Sequence, residues 1–224
     1  MYKRIALFVC ALLPAMAAPA AAQAKVEVSG FFGWAFSDGV SGTTAFLAPD
    51  GEIYDRIDPK DSVLYGFSAG FFVTPQVELG FLYSTQPSQL ILDGTIEREL
   101  GDMSVSTYHG YFAYNFGEED APLRPFILFG LGATTFGDVD INLPALGDTR
   151  TISGETQFSG TIAAGAKFFF SKHVGARAAF RFTPTYIKSD AAGWWCDPFW
   201  GCYLVGDAQY SNQVEFSGGL TVRF

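Results

Sequence analysis

The chain holds two histidines, His109 and His173, and each has a serine nearby. A nucleophile and its base on one strand must stand an even number of positions apart to share a face. Ser106 and His109 are three apart, so they face opposite ways. Ser171 and His173 have the right spacing but fall in a short turn. Neither pair makes an active site, so the expectation is a protein without catalytic machinery, cofactor or metal. Asp138-Val139-Asp140-Ile141-Asn142 resembles the start of a calcium loop. Its sixth position should be Gly and is Leu143, and its twelfth should be acidic and is Thr149, so an EF-hand is excluded. Cys196 and Cys202 are an even pair once Cys10 is lost with a leader, and in an oxidising compartment they read as one disulfide. Closing so small a ring contributes about 2 kcal/mol. Their spacing is not a zinc pattern, and no His is near.

The leader is read from the first residues. Lys3 and Arg4 are positive, Ile5 to Leu13 is apolar, and Pro14 breaks the run. Ala22-Gln23-Ala24 is an A-x-A cleavage site. An uncleaved anchor would need about 20 unbroken apolar residues. Val9 stands before Cys10 where a lipoprotein would need a small residue. The expected organisation is a cleaved signal peptide over 1–24 and one domain over 25–224, exported through the periplasm.

After cleavage, twelve Lys and Arg stand against 23 Asp and Glu, a net charge of −11 that excludes a nucleic-acid binder. Hydrophobic residues reach 49%, yet Gly, Ser, Thr or charge interrupts every later apolar run. No membrane helix is therefore expected. A closed barrel is the other way to span lipid, because it pairs every backbone polar group internally.

Eight strands are expected, at 26–36, 63–73, 76–85, 104–116, 125–136, 156–169, 173–186 and 211–224. Each is long enough to cross a bilayer at a tilt. Long connections at 37–62, 86–103, 137–155 and 187–210 alternate with short ones at 74–75, 117–124 and 170–172. The last strand puts Val214, Phe216, Gly218, Leu220, Val222 and Phe224 on one face and Gln213, Glu215, Ser217, Gly219, Thr221 and Arg223 on the other. The first puts Val28, Phe32, Trp34 and Phe36 against Glu27, Ser29, Gly33 and Ala35. Period two is the strand signature. An eight-stranded lumen is only wide enough for side chains to fill. The apolar faces carry too much Phe, Tyr and Trp for that space, so they are placed toward lipid, and a soluble lipocalin-like barrel, which reverses them, is the alternative. In the fifth strand Ile127, Phe129 and Leu131 are placed outward. Trp34, Phe36, Tyr83 and Tyr186 near the long loops, and Phe71, Phe116, Phe168 and Phe224 near the turns, read as two interfacial girdles.

With this facing the lumen holds Glu27, Glu78, Glu215, His109, Lys167, Arg177, Arg181 and Arg223. Unpaired charge in so confined a space is costly, so these should pair, with Glu215 near Arg181 or Arg177. Ion pairs that close the lumen make a plug; a continuous gap between them makes a narrow pore. The four long connections hold 17 acidic and five basic residues, so the negative charge gathers at one end. That charge gives solubility and repulsion between neighbours, or divalent-cation bridges to lipopolysaccharide. The last connection adds Trp194, Trp195, Phe199, Trp200 and Tyr203 around the cysteines. These aromatics either pack on the barrel rim or form a platform for a ligand, the anchors usual at binding hot spots.

The chain resembles the eight-stranded outer-membrane β-barrels of the OmpA and OmpW types. The resemblance rests on Glu215-Phe216-Ser217-Gly218-Gly219-Leu220-Thr221-Val222-Arg223-Phe224, on Arg124-Pro125-Phe126-Ile127-Leu128-Phe129-Gly130-Leu131-Gly132 and on Phe72-Val73-Thr74-Pro75-Gln76-Val77-Glu78-Leu79. It implies a closed, all-β, antiparallel up-and-down transmembrane barrel in the Gram-negative outer membrane, in contact with lipid and lipopolysaccharide. Phe216, Leu220, Val222 and the terminal Phe224 look like the signal read by the barrel-insertion machinery, which periplasmic chaperones would supply. Nothing after Phe224 would carry a soluble wall-binding domain, so a two-domain OmpA-type protein is not expected. The expected function is a structural or surface-interaction barrel with acidic loops and a disulfide-closed aromatic loop, its surface ligand unknown. The alternative is a small porin-like channel for ions or hydrophobic solutes.

Overall fold

Alternating residues carry the chain around a closed ring of antiparallel strands. The computed structural model describes residues 25–47, 53–94, 98–143, 148–187, 196–197, 201–202 and 209–224. The ring is built from β1 (Val26–Asp38), β4 (Ser62–Phe72), β5 (Val77–Gly94), β6 (Arg98–Asn115), β7 (Leu123–Phe136), β10 (Thr156–Phe169), β11 (Val174–Ile187) and β14 (Gln209–Arg223). Each pairs with its neighbour in that order, and β14 closes on β1. The closing seam runs without a slip from Glu27 opposite Arg223 to Asp38 opposite Asn212. Closure removes the open sheet edges that would otherwise need covering. The expected signal peptide, residues 1–24, lies outside the described residues.

Two rules of side-chain placement hold around the ring. On β1 the inward residues Glu27, Ser29, Phe31 and Ala35 are buried while Val28, Phe32, Trp34 and Phe36 are exposed. On β7 Arg124, Phe126 and Leu128 are buried while Leu123, Ile127, Phe129 and Leu131 are exposed. Exposed apolar side chains therefore form an almost continuous outer belt. Its rings meet across strands, as in Phe180 with Phe216 (5.0 Å) and Tyr83 with Tyr108 (5.1 Å).

The strands run further than alternation alone suggested. Residues expected as the connection 86–103 are largely strand, because β5 and β6 stay paired from Val77 opposite Tyr114 up to Leu92 opposite Arg98. Pro87 does not end β5. Its missing N–H falls in the gap between the β4 ladder, which stops at Thr85, and the ladder with β3 (Ile53–Pro59), which starts at Leu90. β2 (Val40–Leu47) and β3 (Ile53–Pro59) continue β1 and β4 upward past a short break. The register is kept across it, with Ala35 opposite Ser62 and then Val40 opposite Ile57. Asp61 bridges the break by accepting from the Ser37 N–H at 2.9 Å. So β2, β3, β5 and β6 raise one side of the barrel into a wall beyond the ring. The third long connection holds the hairpin β8 (Val139–Leu143) and β9 (Asp148–Ile152), and the fourth holds β12 (Cys196–Asp197) and β13 (Gly201–Cys202).

Candidate functional site

The interior is the one place where the described side chains converge, and it is stacked in layers. At the short-turn end Lys167 stands between two carboxylates. Its Nζ donates to Glu78 Oε2 at 2.8 Å and pairs with Glu27. Arg223 reaches Glu27 Oε2 from β14, with Nη2 at 3.2 Å. Tyr111 Oη donates to Glu78 Oε1 (2.5 Å) and Asn115 Nδ2 to Glu78 Oε2 (3.2 Å). One cluster thus ties β1, β5, β6, β10 and β14 together. A buried carboxylate keeps its charge at tolerable cost only with such partners.

Above it lies an aromatic and aliphatic layer of Phe31, Leu64, Leu82, Tyr111, Phe126, Leu128 and Ala163, all buried. The Arg177 guanidinium is held between the rings of Phe126 (4.9 Å) and Phe31 (5.7 Å) and donates to Ser68 Oγ at 2.8 Å. The expectation that so narrow a lumen leaves bulky rings to the lipid face is corrected by Phe31, Tyr111 and Phe126, which are buried inside. Inward glycines make sockets for the rings: a Cβ on Gly66 would lie 2.8 Å from Phe31 Cζ, and one on Gly165 2.8 Å from Phe126.

Next comes Arg181, whose Nε donates to Glu215 Oε2 at 2.8 Å and whose Nη2 donates to Ser84 Oγ at 2.5 Å. Ser84 passes the chain on to Thr107 at 2.8 Å. Higher still, His109 Nε2 lies 2.9 Å from Ser159 Oγ, which accepts from Thr134 Oγ1 at 2.9 Å. Thr185 donates in turn to Thr134 at 3.0 Å. Gln213 Nε2 donates to Gln86 Oε1 (2.5 Å) and closes the top of the stack.

Glu27, Glu78, His109, Lys167, Arg177, Arg181, Glu215 and Arg223 are all buried. Arg124 was missed because the turn was taken to run through it; counting back by twos from Phe126 reaches it. Its guanidinium donates to the Pro75 carbonyl at 2.6 Å and sits 5.5 Å from the Phe72 ring. Tyr111 was missed as a partner of Glu78 because nothing in the spacing links them. The His109–Ser159 pair was missed too, since it joins β6 to β10 across β7. Gly130 and Gly132 on β7 leave that path open: a Cβ on Gly130 would stand 3.4 Å from His109 Cβ. This pair is fully buried, and among the described residues no carboxylate orients it. Asp138 and Asp140 accept hydrogen bonds from Gly154 N (2.8 Å) and Thr151 Oγ1 (2.5 Å) within their own hairpin. Phe216, Leu220 and Phe224 point outward and are exposed. Trp194, Trp195, Phe199, Trp200 and Tyr203 lie outside the described residues. Cys196 and Cys202 face each other as partners in the β12–β13 ladder.

The family model described as "Outer membrane protein beta-barrel domain" matches residues 7–224. No curated protein is matched. Among solved structures, Neisserial surface protein A is similar with a TM-score of 0.54 and 14% identity, over 89% of this chain and 97% of that one. OprG from Pseudomonas aeruginosa is similar with a TM-score of 0.56 and 13% identity, over 90% of this chain and 96% of that one. At such identities these likenesses speak to the fold.

Proposed function

The chain belongs to the outer membrane protein beta-barrel domain family and is an integral outer-membrane protein; from that premise we propose that its barrel is plugged and serves as a structural and surface-interaction element. The observation that carries this reading is the filled cross-section. Phe31, Leu64, Leu82, Tyr111, Phe126 and Leu128 occupy mid-lumen, with the Arg181–Glu215 pair directly above. Buried side chains that fill so narrow a lumen would leave no room for a hydrated solute. What remains free to act is the long-loop end, which by the asymmetry of such barrels faces outward. There the acidic connections would hold divalent cations against lipopolysaccharide, and the aromatic loop would offer a contact surface. A disulfide between Cys196 and Cys202, which are partners in the β12–β13 backbone ladder, would close that loop. Cleavage after Ala24 and insertion by the barrel-assembly machinery, read from Phe216, Leu220, Val222 and Phe224, complete the proposal. It includes no catalysis, because the Ser159–His109 pair is sealed inside the lumen away from lipid.

One observation favours the channel reading instead. Arg177 Nε, Arg181 Nη1 and Glu215 Oε1 make no hydrogen bond among the described residues, as they would in a hydrated path. Proteoliposome swelling separates the two. A plugged barrel gives no swelling in a small neutral solute beyond protein-free vesicles, whereas swelling in proportion to protein would overturn the plug. The intact mass of the exported protein tests the rest: it should match residues 25–224 less two hydrogens.

A further inference from the structure

We infer that residues 117–122 form a strap that closes the periplasmic mouth of the lumen, latched by Glu119 to the opposite wall. The segment is Gly117-Glu118-Glu119-Asp120-Ala121-Pro122, joining β6 to β7. In the ring, β6 and β7 stand diametrically across from β1 and β14, with two strands between them on either side. A turn that only joined its own strands would contact its immediate neighbours. This one also reaches the far wall. Lys25, just before β1, forms an ion pair with Glu119, and Arg223 Nη1 of β14 donates to the Glu119 carbonyl at 3.2 Å. Arg223 is itself tied to Glu27, so the strap is joined to the ion cluster behind it.

The local sequence shapes the strap. Gly117 has φ +87°, a left-handed conformation that costs glycine little and that turns the chain out of β6. Ala121 N donates to Glu118 O (3.2 Å), and Phe169 N donates to Pro122 O (2.7 Å), which pins the far end to β10. The burial behind it is what an open mouth would not give. Arg124 and Asn115 are the last inward residues of their strands, yet both are 0% exposed. Behind the strap Arg223 also stacks 4.0 Å from the Phe169 ring. The barrel is thus lidded at its inner end by its own chain, independently of the mid-lumen packing. This inference takes from the proposed function only its membrane orientation; absence of swelling would follow from either the plug or the lid, so the lid is read by a separate probe.

A thiol at Asn115, the last inward residue of β6 and buried directly behind the strap, reads the lid. In a background with Cys196→Ser and Cys202→Ser, Asn115→Cys should react slowly with a charged maleimide. Glu119→Lys should raise that rate at least ~10-fold, and adding Lys25→Glu should return it toward the parent, since the swapped pair restores the latch. Variants are compared only where the strand circular dichroism is retained, and Lys25→Gln gives a milder break if Glu119→Lys does not fold. An unchanged rate in Glu119→Lys and Lys25→Gln would overturn the strap. A raised rate that Lys25→Glu does not reverse would overturn the Glu119 latch.

Discussion

Phe31 and Phe32 are consecutive residues of β1 with the same side chain, one 8% and the other 73% exposed. Phe31 lies inside, with Arg177 5.7 Å and Arg181 5.9 Å from its ring and glycines opposite that leave it room. Phe32 lies on the outer belt, where any bulky apolar group of similar size meets the same lipid. The inner face is therefore a fitted core in which each side chain has particular partners. The outer face is a solvent-matched surface in which only polarity and depth matter. The two faces share every strand, so one substitution scan across them measures the difference.

Unfolding in urea from lipid bilayers ranks the effects. Glu215→Ala should cost most, about 3–5 kcal/mol, because it leaves the Arg181 charge buried without its carboxylate. Replacing both residues by Met should recover much of that loss, which would set the pair apart from simple volume. Phe31→Ala should follow at about 3 kcal/mol, for the cavity it opens beneath Arg181. Phe129→Arg on the outer belt should cost about 2–4 kcal/mol if Phe129 lies near the midplane. Phe32→Leu should change stability by less than about 0.5 kcal/mol. If Phe31→Leu and Phe32→Leu cost the same, the inner face is not the fitted core described here.

The outer face was legible in the sequence because lipid selects by polarity and the pleat repeats every two residues. That pattern, with the narrow lumen deciding which face turns out, placed Val28, Phe32, Trp34, Phe36, Ile127, Phe129 and Leu131. The inner face was legible for its charges and for small or polar residues such as Ser29, Ala35 and Thr221, but not for its rings. Phe31, Tyr111 and Phe126 were hidden because their fit depends on glycines far off in the sequence that the pairing brings opposite them, such as Gly66 for Phe31 and Gly165 for Phe126. The partnership of His109 with Ser159 was hidden for the same reason: 50 residues separate them along the chain. The wall formed by β2, β3, β5 and β6 was hidden because polar sequence reads as loop, while its order comes from ladder hydrogen bonds that any side chain permits. The boundary of β7 failed at Arg124, where a charged residue beside Pro125 looked like a turn.

Single-channel recording of the wild-type protein alongside Arg181→Ala tests the filled lumen most directly. A plug predicts a flat baseline for the wild type at every voltage below bilayer breakdown, and Arg181→Ala is the variant expected to leak. Discrete, reproducible openings of the wild-type barrel would contradict it.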